Sequence, residues 1–505
     1  MEVMMSAADK NALKERTVAI RIISYLSLVI ILLTFWSCQR DDYYTNDDVI
    51  LTFSSDTLRF DTVFTSIGSA TRFIKVYNPK PAPVLADFRL ENKAGGVFRF
   101  NADGVKGPVV NKIEIGGRDS IYLFVEVTIN PDLPLSISPF IIEDIITVSI
   151  NGNEQKIYLE AFGQNANYLP APNSKGSIAL LSCNMGTISW DDPKPYVIYG
   201  VLYIDSCHVV IPEGRRIYVH GGVIRRDSFV YEEGLIIFLK NGKLSVNGTP
   251  EAPVIFQGDR LESGFEKLSG QWVGILMSAE SRGHHLKHTT IKNSIIGMRV
   301  DSLASARLEG CSIFNTSASG LIARHAEVYA ENCLIYNNGA NGVQLTYGGD
   351  YSFNYCTIAS FSGRQEALVA TDFFCRDIFC TGGRRLNPIK LQCTNSIFTG
   401  NDKDEITLVR RGAEISDFSY TFSHCLVKVT DLLKAENFPD FLNNCTSCEN
   451  LKGSERLFND RLKEDYSLDS MSVALGKAMF IPGIISDIQG KMRKSENPDI
   501  GCFEL

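Results

Sequence analysis

Four isoleucines set the terms of this fold. Ile291, Ile313, Ile335 and Ile358 follow one another at intervals of 22, 22 and 23 residues. Each sits in the same short frame: Thr289-Thr290-Ile291-Lys292-Asn293, Cys311-Ser312-Ile313-Phe314-Asn315, Cys333-Leu334-Ile335-Tyr336-Asn337 and Cys356-Thr357-Ile358-Ala359-Ser360. Gly297, Gly320 and Gly342 come four or five residues after the asparagines and open further apolar stretches, such as Gly342-Val343-Gln344-Leu345. One repeat of this length cannot bury its own apolar face and must stack on the next. Stacked parallel strands lie about 4.8 Å apart, so equivalent residues sit above one another and the isoleucines build a continuous core. An asparagine at the bend tolerates left-handed backbone and hydrogen-bonds to its neighbour above. Cys311, Cys333 and Cys356 then form an inward column of small apolar thiols. Asn395-Ser396-Ile397 and Cys425-Leu426-Val427 read as later rungs of that column, after an insertion. A disulfide ladder is the rival arrangement, but rungs that already hold one another have no need of bonds with strict sulfur geometry. Cys445 with Cys448, and Cys375 with Cys380, lie outside the column and are the better disulfide candidates.

Upstream of the repeat the period changes. In residues 121–129, Ile121, Leu123, Val125, Val127 and Ile129 share one face, with Tyr122, Phe124, Glu126 and Thr128 opposite, as in a half-buried strand. Residues 144–150 and 156–161 flank Asn151-Gly152-Asn153 and read as a hairpin closed on an Asn-Gly turn. Several such strands predict an antiparallel β-sandwich over residues 49–163. This segment is similar to immunoglobulin-like modules that act as stalks in bacterial surface proteins. A chain of 505 residues exceeds what one core holds. The division expected is a signal segment (1–37), an acidic tether (38–48), the sandwich (49–163), a linker and entry segment (164–198), the solenoid (199–430) and a capping segment (431–505). The net charge of −8 with no basic run argues against nucleic acid.

The N-terminus carries its own signal. Lys10, Lys14, Arg16 and Arg21 precede an apolar run from Ile22 to Trp36, which is followed by Ser37-Cys38. A basic start and a short apolar run describe an export signal, and the run is short of the roughly 20 residues that span a bilayer. Phe35-Trp36-Ser37-Cys38 resembles a bacterial lipobox, which implies that Cys38 takes a diacylglycerol; an uncleaved signal anchor is the alternative. Gln39-Arg40-Asp41-Asp42 resembles the surface-export signal of Bacteroidota lipoproteins. The implied location is the outer membrane, lipid-anchored and facing the cell exterior, against a periplasm-facing anchor.

Gly248-Thr249-Pro250-Glu251-Ala252-Pro253-Val254-Ile255-Phe256 resembles the entry segment of bacterial right-handed β-helix proteins. The end of the chain, Asp487-Ile488-Gln489-Gly490, Arg493 and Pro498-Asp499-Ile500-Gly501-Cys502-Phe503-Glu504, is similar to their closing segment. Leucine-rich repeats share the period but require a leucine-dominated pattern. The fold class expected is all-β: an N-terminal β-sandwich followed by a right-handed parallel β-helix. This fold hosts lyases, hydrolases, epimerases and non-enzymatic adhesins, so it does not fix activity.

A groove-cutting enzyme of this kind needs neighbouring carboxylates on successive rungs. Projecting the repeat places Asp301, Arg324 and Thr346 in one outward column that Asp372 extends. This mixed column makes Asp301, Arg324 and Asp372 weak catalytic candidates. His284-His285-x-x-His288 lacks a preset ligand geometry and reads as surface turn residues; neither a metal nor another cofactor is expected, with calcium entering only for a lyase. No nucleophile elbow or phosphate loop is present. Tyr347-Gly348-Gly349-Asp350-Tyr351 and the insertion with Asp372-Phe373-Phe374 and Arg384-Arg385 interrupt the rungs. Aromatic rings beside acid and base groups suit a sugar, making Tyr347, Asp350, Tyr351 and Arg384 the ligand-binding candidates. The leading reading is a non-catalytic surface lipoprotein that binds glycan or another envelope component. A polysaccharide lyase or glycosidase, and a structural or partner-scaffolding protein, are the alternatives; partners beyond the membrane and polysaccharide are not indicated, and oligomeric state is open.

Overall fold

The computed structural model describes residues 42–64, 71–129, 140–169, 178–226, 229–232, 234–261, 265–363, 365–375, 380, 383–412 and 417–505. Cys38 and the whole signal segment lie outside them. The chain forms two compact units, the first built from segments that end at Ala161 and the second mainly from Phe162 onward.

The first unit holds two five-stranded sheets. One orders Thr52–Phe53, Arg72–Tyr77, Ser120–Val127, Phe98–Ala102 and Val105–Lys106; the other orders Thr57–Phe64, Asn153–Gln164, Phe140–Ile150, Val84–Leu90 and Val109–Ile115. The alternation in Ser120–Val127 behaves as the sequence dictates, with Ile121, Leu123, Val125 and Val127 buried. Phe60 from one sheet meets Phe98 from the other at 6.1 Å, the contact that makes two sheets one core. At the Asn151-Gly152 turn both residues adopt positive φ, 45° and 89°, as a two-residue hairpin loop requires.

The second unit is a parallel β-helix. One sheet of eleven strands and one of seventeen run along it, each rung adding one strand to the former and one or two to the latter. In the register Ile291 pairs with Ile313, Ile313 with Ile335 and Ile335 with Ile358, and all four are at most 1% exposed. Asn293, Asn315 and Asn337 hold φ of 64°, 55° and 53°, and Asn315 Nδ2 donates to Asn293 Oδ1 at 2.7 Å. A Cβ at Gly297 would lie 2.4 Å from Gly320 O, so the glycine is what lets two rungs close up. Cys311, Cys333 and Cys356 are buried free thiols; burial pushes the thiols of Cys311 and Cys333 well above their usual pKa, leaving them unreactive packing groups.

Both ends of the solenoid differ from expectation. Parallel pairing begins with Asn167–Leu169 and Ile178–Leu181 and ends with Cys445–Thr446 and Glu449–Asn450, so the stretch read as a linker already carries rungs. After the insertion the register moves by one: Phe398, not Ile397, stacks on Ile358. Disulfides join Cys375 to Cys380 and Cys445 to Cys448. A third, Cys183–Cys207, ties two adjacent rungs.

The capping segment divides its work. Leu432, Phe441 and Cys445 close the end of the core, with Phe441 5.1 Å from Phe422. Residues 451–505 instead lie along the outer face of the eleven-stranded sheet. Leu457, Leu468, Ala474 and Ile500 cover Ile397 and Leu426, and Tyr466 and Cys502 cover Leu334, Tyr336 and Ala359. Arg493 pins this lid: it donates to Asn332 Oδ1 at 2.7 Å and Gly501 O at 2.9 Å, faces Glu504 at 3.4 Å and stacks 3.8 Å from the Tyr355 ring. Asp487 accepts the backbone N–H groups of Gln489, Lys491 and Glu504. The Asp, Arg and Glu of the closing motif are therefore structural groups.

Candidate functional site

Asp301 and Arg324 project where the repeat places them, but their chemistry is modest. Arg299 Nε donates to Asp301 Oδ1 at 2.9 Å, and Arg324 pairs in register with Thr346. Asp372 does not extend the column. Leu345 pairs with Ala370, which aligns Thr346 with Thr371 and puts Asp372 one residue beyond. It is fully buried and accepts the backbone N–H groups of Arg411 and Gly412, a loop-closing role.

The four ligand-binding candidates do not come together at one point. Tyr347 sits at a left-handed bend (φ 65°) that splits Val343–Asn354 into two halves, its ring tilted against that of His325, 5.4 Å away, at the same bend one rung earlier. Asp350 points outward, 3.3 Å from Lys390. Tyr351, the next residue, must point inward; it is 0% exposed and donates to Gly348 O at 2.7 Å. Its assignment as a ligand contact is overturned, because it is a core residue paired with Val328. Arg384 lies on an inserted hairpin, Phe373–Cys375 with Arg384–Leu386, its guanidinium 5.9 Å from the Phe373 ring.

The histidine cluster also departs from its reading as a turn. His284 and His285 lie on the strand His284–Lys287. His284 is buried, meets Ser281 Oγ at 2.7 Å, accepts from Leu244 N, and burial depresses its pKa to about 3. Among the described residues no group of three or more His, Cys, Asp and Glu side chains is gathered as for a metal.

The surface with most chemistry was not foreseen. Along the second half of the seventeen-stranded sheet, outward residues form three parallel files. Register pairs align Ser305, Glu327, Asp350, Lys390 and Ser419; then Ser245, His285, Arg307, Tyr329, Ser352, Gln392 and Thr421; then Asn247, Lys287, Glu309, Glu331, Asn354, Thr394 and Ser423. Every position is polar. A cleft of about 500 Å³ opens in them, lined by His285, Ser305, Arg307, Glu327, Tyr329, Asp350 and Ser352 among others. Of its lining residues, Arg307 donates to Glu309 and, at 3.2 Å, to Glu331, while its guanidinium lies 4.1 Å from the Tyr329 ring. Tyr329 Oη donates to Glu331 Oε2 at 2.6 Å, and His285 Nε2 is 2.9 Å from Glu309 Oε1. Burial works to raise the Glu309 pKa, but Arg307 and His285 outweigh it and hold the carboxylate below its ordinary value. Burial and Glu331 push the Tyr329 phenol up to about 12. Arg307, Tyr329, Glu309 and Glu331 thus hold one another in a fixed hydrogen-bonded network beside the cleft. Glu405, which burial raises to about 8, is 0% exposed and accepts the N–H groups of Ala367 and Asp402; it reaches no groove. The available signal was the strict alternation in residues 305–309, 327–331 and 350–354, readable only once the bends were located.

Residues 273–448 match the family model for the right-handed β-helix region. No curated protein sequence matches the chain. Among solved structures, a complex of XylC with xylose is similar at 9% identity and a TM-score of 0.33, covering 89% of this chain and 90% of that one. A family 123 glycoside hydrolase from Clostridium perfringens matches at 10% identity and a TM-score of 0.19, covering 27% of this chain and 31% of that one. The chain thus spans under a third of that hydrolase. The catalytic domain of a GH87 α-1,3-glucanase in complex with nigerose matches at 11% identity and a TM-score of 0.17, covering 70% and 81%. No activity is carried over from these distant likenesses.

Proposed function

We propose that this chain is a lipid-anchored envelope protein whose β-helix binds glycan without cleaving it. One observation carries the reading: the unbroken polar face, three files wide, with a cleft where Arg307, Tyr329, Glu327 and Asp350 converge. Rungs repeat every 4.8 Å or so, close to the length of one sugar unit, so hydroxyls along a chain meet equivalent donors and acceptors on successive rungs. Tyr329 adds a ring for a sugar's apolar face. A glycan array checks this. Wild type is expected to bind a discrete set of glycans, and Tyr329→Ala to weaken them several-fold, since aromatic packing contributes on the order of 1 kcal/mol beyond buried area. Binding that survives a Tyr329→Ala/Arg307→Ala double variant would remove the polar face from consideration.

A second reading rests on Glu309 and Glu331, which occupy adjacent rungs and share Arg307. Two carboxylates at that spacing are what a glycosidase uses, whereas a lyase would bring calcium. Release of reducing or unsaturated ends from a polysaccharide, lost in Glu331→Gln, would favour cleavage over binding.

Anchoring is the second half of the proposal, and Arg40-Asp41-Asp42 are its surface-export signal. Cys38→Ala is expected to leave the precursor unprocessed and move the protein out of the detergent-soluble membrane fraction. Partition with the outer membrane at the wild-type level would sink the lipobox assignment.

A further inference from the structure

The inserted hairpin gathers cations that form no ion pair among the described residues. Phe373–Cys375 pairs antiparallel with Arg384–Leu386 and is closed by the Cys375–Cys380 disulfide. Phe374 faces Arg385 across the pair, and cross-strand partners share a face. On that face the Arg324 guanidinium lies 3.7 Å from the Phe374 ring, with Tyr347 6.1 Å from the same ring. On the other face Arg384 and Arg411 each sit 5.9 Å from the Phe373 ring. Arg384, Arg385 and Arg411 are exposed. Among the described residues none of these four arginines forms an ion pair, although most charged groups on the neighbouring polar face do. Among the described residues Arg324 Nε is enclosed and has no hydrogen-bond partner. Asp372, the carboxylate beside Phe373 in sequence, is buried and occupied by the backbone of Arg411 and Gly412.

Such an arrangement is unusual in a chain of net charge −8. A guanidinium laid on an aromatic ring keeps its in-plane N–H groups directed outward, where they form bidentate pairs with carboxylate or sulfate. We infer that the hairpin and the bend beside it form a second binding site, selective for polyanionic polysaccharide bearing uronate or sulfate groups. Phe373, Phe374 and Tyr347 position the arginines, and the anions are met by Arg324 and Arg385 on one face of the hairpin and by Arg384 and Arg411 on the other. The inference rests on the glycan-binding reading for its ligand class and departs from it in both place and charge.

The test uses the soluble mature chain and four probes: alginate, dextran sulfate, neutral dextran and phosphatidylglycerol vesicles. Alginate or dextran sulfate is expected to bind with an affinity that falls steeply with salt, while neutral dextran does not bind at this site. Arg384→Gln/Arg385→Gln, on exposed positions of the hairpin, should raise Kd at least tenfold. Lys434→Gln/Lys463→Gln, an equal charge change elsewhere, should leave it within twofold. Arg384→Lys/Arg385→Lys should recover only part of the loss, since an ammonium keeps the charge without the planar fork. Equal binding by the two Gln pairs, or no polyanion binding by wild type, overturns the inference; so does binding to the vesicles alone, which would point to a membrane surface. The polar-face reading fails separately: its array ligands respond to Tyr329→Ala and not to the hairpin variants.

Discussion

Tyr351→Ala is expected to destabilise the β-helix by about 3–5 kcal/mol, the range for truncating a large buried aromatic side chain. The ring is wholly enclosed between rungs, in register with Val328 below and Leu391 above. Its hydroxyl donates to Gly348 O and lies 3.4 Å from Ala326 N, so truncation also strands two backbone groups. Burial pushes the phenol well above its usual pKa, as expected of a group with no access to water. Tyr351→Phe keeps the ring and should lose only about 1 kcal/mol, the net worth of a hydrogen bond. Urea unfolding monitored by far-UV circular dichroism measures both. A Tyr351→Ala protein as stable as wild type, but deficient in glycan binding, would restore the tyrosine to a ligand site.

Arg493→Ala should cost a similar amount, about 3–5 kcal/mol, because it breaks a buried ion pair and leaves Glu504 with only the half-exposed Lys494, 3.6 Å away, as counter-charge. The Arg493 and Glu504 side chains are 0% and 1% exposed, and burial draws the Arg493 pKa down while Tyr355 and Glu504 oppose it. The loss should appear first as protease sensitivity within residues 451–505. Removing both charges, as Arg493→Met/Glu504→Leu, should cost less than the single change, since no lone ion is then left inside. Protection of the lid unchanged in Arg493→Ala would show that its apolar contacts hold it unaided.

The rung spacing was legible because stacking permits no drift: Ile291 through Ile358 must align, and the sequence keeps their interval. The asparagine bends and free thiols follow from the same constraint. What escaped were places where the chain bends without changing composition. Tyr347-Gly348-Gly349 looks like a loop, yet it is a bend within a longer strand that returns Asp350, Tyr351 and Ser352 to strict alternation. Reading it as a loop hid the inward turn of Tyr351 and the polar files beside it. The one-residue slip at Ile397 has a related cause. Its rung follows a long insertion, and both Ile397 and Phe398 are apolar enough for either frame; Phe398 is buried in the solenoid core and Ile397 under the lid, which satisfies both. Cys183 and Cys207 lie 24 residues apart, near the repeat interval, but precede the segment in which the repeat is regular.

A stack of rungs interacting only with nearest neighbours unravels from its ends like a zipper, one coil at a time. The segment laid along its flank changes that behaviour. Arg493 holds Asn332, while Asn395 on a later rung exchanges hydrogen bonds with Met479 and accepts none of them from its own coil. Thr357, between the two, accepts from Cys502 N. A fluctuation that opens any one of these coils must therefore loosen the same strap that grips the others. The middle of the solenoid should melt as a single block, with hydrogen-exchange rates in the coils at 332, 357 and 395 rising together, while the uncovered early coils exchange independently.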